Sequence, residues 1–125
     1  MVIKVNSDKN IQLSLPGRNS TELMSEVFGS KSTTVRIVEI GPESSDRGPH
    51  FHDQFEEVIY VLEGSGFLKT SQGQFSLTTG DTVCVPAGVL HQTFNNVGEI
   101  IRLFCIFPIS QIKNGTIELE SWNDA

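Results

Sequence analysis

At 125 residues the chain is long enough for one domain with a real core and too short for two ordinary ones. Its 38% apolar and 19% charged content suits a folded globular protein; its net charge of −6 argues against nucleic acid, which needs a basic face, and gives no pull toward an anionic membrane. No apolar run approaches the ~20 residues that span a bilayer, and residues 1–5 alternate like a strand rather than form a signal-peptide core. A cytoplasmic protein is expected.

Residues 2–5 and 11–15 read as short strands or arms, and Pro16-Gly17 then breaks the chain. Asn19 and Glu22 stand at capping-box spacing, Leu23, Met24, Val27 and Phe28 follow on one helical face, and Gly29 is placed to end it. A short N-terminal helix or turn packed on a sheet is predicted there. Residues 35–40 make a β-branched strand, and the breaker-rich stretch 41–49 loops from it to His50. Residues 57–63 form a strong strand closed by Gly64-Ser65-Gly66, and 67–70 and 74–77 flank Ser71-Gln72-Gly73 as a hairpin. Strands at 81–85, 91–95 and 100–107 are separated by turns at Pro86-Ala87-Gly88 and Asn96-Val97-Gly98. The last is apolar on both parities, which predicts burial on both faces. Residues 117–119 make a final edge strand and 121–125 a loose tail.

So many short strands, punctuated by turns, imply an all-β sandwich or barrel. Ile59 and Val61 alternate with Tyr60 and Leu62, giving that strand two apolar faces. One should line the barrel and the other should meet a second sheet or a second copy, so a homodimer is expected. Cys84 and Cys105 lie in apolar runs without C-x-x-C spacing and read as small buried hydrophobes.

The chemistry concentrates in residues 50–57. His50 and His52, two apart, point to one side of a strand and can reach one point in space. Imidazole nitrogens are good ligands for transition metals, and a carboxylate adds a hard anionic oxygen. Two carboxylates follow, Glu56 and Glu57; neighbours on a strand face opposite ways, so one of them can join the histidines. The third and last histidine, His91, follows the Pro86-Ala87-Gly88 turn. A lone strand histidine is usually solvated or hydrogen-bonded, and a bare H-x-H pair is a ligand pair less than half the time. Here the flanking residues carry the decision.

Those residues resemble the cupins, small β-barrels with two sequence motifs. His50, His52, Glu57 and Gly64 fit the first, G-x5-H-x-H-x3–4-E-x6-G. Gly80, Pro86, Gly88, His91 and Asn95 fit the second, G-x5-P-x-G-x2-H-x3-N. Ser44 stands where the first motif opens on glycine. The resemblance covers about residues 35–107. It implies a single-domain jelly-roll barrel, a double-stranded β-helix, with an N-terminal arm over 1–34 and a C-terminal segment over 108–125. It also picks Glu57 over Glu56 and implies a metal set of His50, His52, Glu57 and His91. Glu57 would open the strand antiparallel to that of the two histidines, and His91 would come from across the barrel.

Three imidazoles and one carboxylate around a divalent ion leave coordination positions open, the mark of a catalytic rather than a closed site. The expected cofactor is one divalent transition-metal ion per chain: iron, manganese, nickel, zinc or copper. The expected partner is a small-molecule substrate or ligand. Dioxygenase action on an enolic or phenolic compound leads, with Glu57 as the candidate catalytic residue, either remaining a ligand or swinging off as a base. Isomerase, lyase or cyclase action on a sugar acid or polyketide-like compound comes second, and a non-catalytic binding module third. Phe51, Ile59, Val61 and Phe94 are candidate walls, and Arg36 and Arg102 are candidate carboxylate binders.

Overall fold

Runs of β-branched and aromatic residues, cut by glycine turns, fold into eleven strands in a computed structural model that describes residues 1–15, 17–41, 48–96 and 98–124. They are β1 (Ile11–Leu15), β2 (Arg18–Met24), β3 (Thr34–Ile40), β4 (His50–His52), β5 (Glu57–Glu63) and β6 (Ser65–Thr70). Then come β7 (Gly73–Thr78), β8 (Thr82–Val85), β9 (His91–Asn95), β10 (Ile101–Phe107) and β11 (Thr116–Glu118). One sheet runs β1-β2-β3-β10-β5-β8 and the other β11-β4-β9-β6-β7, with antiparallel neighbours throughout. The two form a single all-β barrel of jelly-roll type.

The core lies between the sheets and follows strand parity. Ile101, Leu103, Cys105 and Phe107 of β10 are at most 5% exposed, as are Ile59 and Val61 of β5. Full burial of each large apolar side chain contributes about 1.5–3 kcal/mol. The outward face of β10 is only half-buried, so its two apolar faces are not equally covered. Tyr60 and Leu62 on the outer face of β5 stay 39% and 37% exposed.

The N-terminal expectation needs correction. Asn19 and Glu22 do not cap a helix; both lie in strand β2, paired with β3. Ser20 and Glu22 point inward and are buried, so the usual parity, apolar in and polar out, is inverted there. Only a single turn of 3-10 helix survives, Glu26–Phe28, capped by Ser25 and ended at Gly29 with φ +107°. Residues 2–5 form no strand. The predicted loose tail is pinned instead: Trp122 Nε1 donates to Gln92 Oε1 at 2.8 Å, and the Lys69 ammonium lies 4.5 Å above its ring. Cys105 is buried as expected, but Cys84 is exposed, and its thiol donates to Glu56. Pro16, Val97, Ala125 and the 42–47 part of the predicted loop, Ser44 included, lie outside the described residues.

Candidate metal centre

The site grows from the pairing of two short strands. β4 lies beside β9 with His50 opposite His91, which sets their rings 4.2 Å apart between centroids. His52, two residues on, shares the inward face, its ring 5.1 Å from that of His50 and 5.5 Å from that of His91. Glu57 arrives from the opposite sheet. β5 pairs with β10 and β8, not with β4, so the bend at 53–56 carries the chain across the barrel. The expected roles are therefore exchanged: His91 is the neighbour, and Glu57 comes from across. Phe55 in that bend is buried and stacks on His52 at 4.7 Å. Gly88, at φ +83°, donates its N–H to the His52 carbonyl at 2.7 Å and so ties the turn before His91 to β4.

One donor atom from each of His50, His52, Glu57 and His91 lies within 4.8 Å of the others, close enough for the four to hold one metal ion. His52, Glu57 and His91 are 3%, 6% and 2% exposed. Their outer contacts fix which nitrogen faces inward. His91 Nδ1 meets the Val89 carbonyl at 2.9 Å, which can only accept, so Nδ1 carries the proton and Nε2 presents its lone pair. Thr116 gives its one hydroxyl proton to the Ile112 carbonyl at 2.7 Å; it must therefore accept from His52 Nδ1, 2.9 Å away. His52 Nε2 too presents a lone pair.

Both Nε2 atoms face the same oxygen, Glu57 Oε1, at 3.2 Å from His52 and 3.1 Å from His91. Three acceptors cannot share so small a space bare. Either both imidazoles take a second proton, burying two like charges side by side, or one cation satisfies all three atoms. The second costs less, because clustered buried imidazoliums repel one another and are poorly solvated. The donor set thus fits a divalent ion, and second partners orient the rings as metal-binding histidines require.

Burial pushes the Glu57 carboxyl up, but positive charge facing it outweighs burial, whether from His52 and His91 as imidazolium donors with the charges of His91 and His50, or from one cation in their place. The group is held well below the usual carboxylate range. The Cys105 thiol is driven well above its ordinary value, first by burial, then by the charge and hydrogen bond of Glu57. Both effects keep it a thiol.

A cavity of about 250 Å³ opens onto the four residues. Among the candidate walls Ile59 lines it, whereas Phe94 stacks on Phe67 at 4.9 Å. Arg36 reaches it but is held by Glu22, with Nη2 to Oε1 at 2.9 Å. Arg102 faces outward, an ion pair with Glu39 at 3.3 Å lacking hydrogen-bond geometry. Glu56 is exposed, and Asn95 donates to the Gly41 and Glu99 carbonyls as a structural clamp. Thr116, Arg18 and Ser20 also line the cavity, and sequence reasoning missed all three. Only the polar inward parity of β2 could have signalled the last two.

The model of the cupin domain family matches residues 36–107, more than half of the chain. The chain is a cupin. An uncharacterised protein of Methanocaldococcus jannaschii is 31% identical over 67 residues, 53% of each chain. A second, from Aquifex aeolicus, is 29% identical over 72 residues, so the cupin spans about half the length of the curated relatives it matches. Among solved structures it is similar to the polyketide cyclase RemF of Streptomyces resistomycificus, with TM-score 0.72 and 27% identity over 86% of this chain and 80% of that one. The oxalate decarboxylase of Lactobacillus farciminis superposes with TM-score 0.78 over 90% of this chain and 34% of that one; at 22% identity it shows the fold alone. Among the described residues no helix is long and apolar enough to cross a membrane.

Proposed function

We propose that this cupin is a metal-dependent enzyme in which His50, His52, Glu57 and His91 hold one divalent transition-metal ion. The observation that carries the reading is the set of inward lone pairs: two Nε2 atoms with fixed tautomers and one carboxylate oxygen face one another at the wall of a cavity. When bound, the ion would supply Lewis-acid polarisation of a substrate carbonyl or enolate oxygen. The chain's own part is to orient and to move protons. Val89 and Thr116 lock two imidazoles, Phe55 and Phe107 shield His52 from water, and Glu57, a weak base while its carboxyl is held low, takes a substrate proton only after swinging off the donor set.

Cyclase, lyase or isomerase action on an enolisable carbonyl compound is the preferred reaction class. Its support is the likeness to a polyketide cyclase over most of both chains. Dioxygenase action, the expectation from the ligand set, has no specific support beyond those ligands. The test is metal analysis followed by proton NMR in D₂O with a panel of β-keto acids and β-diketones, beside an oxygen electrode. Metal-dependent exchange of α-protons without oxygen uptake supports the preferred class. Substrate-dependent oxygen uptake overturns it in favour of the dioxygenase, and metal-loaded protein that binds these compounds without exchange or uptake points to the binding module.

A homodimer belongs to the same proposal, supported by the exposed apolar Tyr60 and Leu62 on β5. Light scattering at micromolar concentration should give twice the 13.8 kDa chain mass, and a monomer mass would remove the dimer.

A further inference from the structure

The inward face of β2 carries three polar side chains at alternate positions, Arg18, Ser20 and Glu22. Glu22 is fully engaged: Oε1 takes the Arg36 guanidinium at 2.9 Å and Oε2 the Ser25 hydroxyl at 2.7 Å. The other two are not. Ser20 is 4% exposed, and its Oγ has no hydrogen-bond partner among the described residues. Arg18 Nε is likewise buried without a partner. Both residues line the cavity that holds His50, His52, Glu57 and His91.

Buried polar atoms without partners destabilise a fold, and they are rare enough to need a reason. Here the two share one face of one strand, which sums their effect at one place on the cavity wall. Arg18 Nε can only donate, and the Ser20 hydroxyl can donate as well. An acceptor with several lone pairs and a negative charge satisfies both, and charge assistance from the guanidinium makes the bond strong. Arg36 adds no competing demand, because Glu22 already balances its charge. A cavity of about 250 Å³ admits a small organic acid and not a polymer.

We propose that Arg18 and Ser20 form the anchor for a substrate carboxylate, so that the substrate is a small organic acid held at β2 with its reacting end toward the His50–His52–Glu57–His91 centre. The anchor itself makes no use of an ion; only the placement of the reacting end rests on the metal reading above.

The test is calorimetric titration of the full chain, metal-loaded and chelator-stripped, with acetate, malonate, succinate and glutarate. Succinamide serves as the neutral control and inorganic phosphate as the competing anion. At least one acid should bind wild-type protein, and the amide should not. Arg18→Gln should weaken that acid about 10–100-fold, the worth of a hydrogen bond to a charged group, and Arg18→Lys should keep part of the affinity. Ser20→Ala should weaken binding about tenfold yet raise Tm, because it deletes a buried hydroxyl that has no partner in the free protein. A merely structural serine would lower Tm instead. The losses should appear in stripped protein too. Should Arg18→Gln not fold, Ser20→Ala decides alone. Unchanged acid affinity in Ser20→Ala, equal binding of acid and amide, tighter binding of phosphate, or no binding of any acid by wild type would each overturn the anchor. A wild-type protein that loads no metal but shows the variant losses would remove the metal reading and leave the anchor standing.

Discussion

Thr116 has a single hydroxyl proton, and the Ile112 carbonyl takes it. What remains on that oxygen is acceptor capacity, and His52 Nδ1–H uses it at 2.9 Å. Replacing the hydroxyl by a methyl in Thr116→Val keeps the shape but frees the ring to flip or change tautomer. Loss of such an orienting partner costs about 10–100-fold in metal affinity. His91→Ala removes a donor atom outright and should cost more, leaving substoichiometric metal in the purified protein while the barrel stays folded by circular dichroism. The expected order of affinity, from competition with a fluorescent zinc indicator, is wild type, then Thr116→Val, then His91→Ala. Equal occupancy in His91→Ala and wild type would take His91 out of the centre.

β2 shows why an element can be misread when its site-facing side is polar. Its inward residues are Arg18, Ser20 and Glu22, so hydrophobic periodicity gives no strand signal, and the run Leu23, Met24, Val27, Phe28 mimics a helical stripe. The Glu22–Arg36 pair is the strut that holds β2 to β3 across Glu22↔Arg36, with side chains 11% and 23% exposed. Glu22→Ala would strand the Arg36 charge and the Ser25 hydroxyl together. A loss of about 2 kcal/mol is expected in urea unfolding, with metal content unchanged; a loss below about 0.5 kcal/mol would mean that the pair is as weak as an exposed one. The strands from residue 34 on were readable because apolar β-branched runs and glycine turns mark them locally. The four converging residues were readable because their spacing is local as well. Which strands are neighbours was not: the exchange of places between Glu57 and His91 depends on how two sheets close over each other, and no residue spacing encodes it. Thr116 was invisible for the same reason, lying 64 positions from the histidine it orients.

Across the whole barrel, the centre is a joint between sheets. His50, His52 and His91 belong to one and Glu57 to the other, so an ion bound by all four would tie the layers together. Binding to the folded state alone adds RT ln(1 + [L]/Kd), about 2.7 kcal/mol when free metal is 100-fold above Kd. For a domain of 125 residues that corresponds to a rise in Tm of about 10 °C. Stripping the metal with a chelator should lower Tm by that amount, and restoring it should recover the loss. Glu57→Gln keeps the side chain's size but not its charge; it should reduce the metal-dependent rise and also lower the metal-free Tm, since a carboxyl held well below its usual range stabilises the fold in its ionised form at neutral pH. Scanning calorimetry of the four samples reads both effects. A metal-loaded wild type that melts at the same temperature as the stripped protein would show that the ion bridges nothing, and the joint would have to be sought elsewhere than in these four residues.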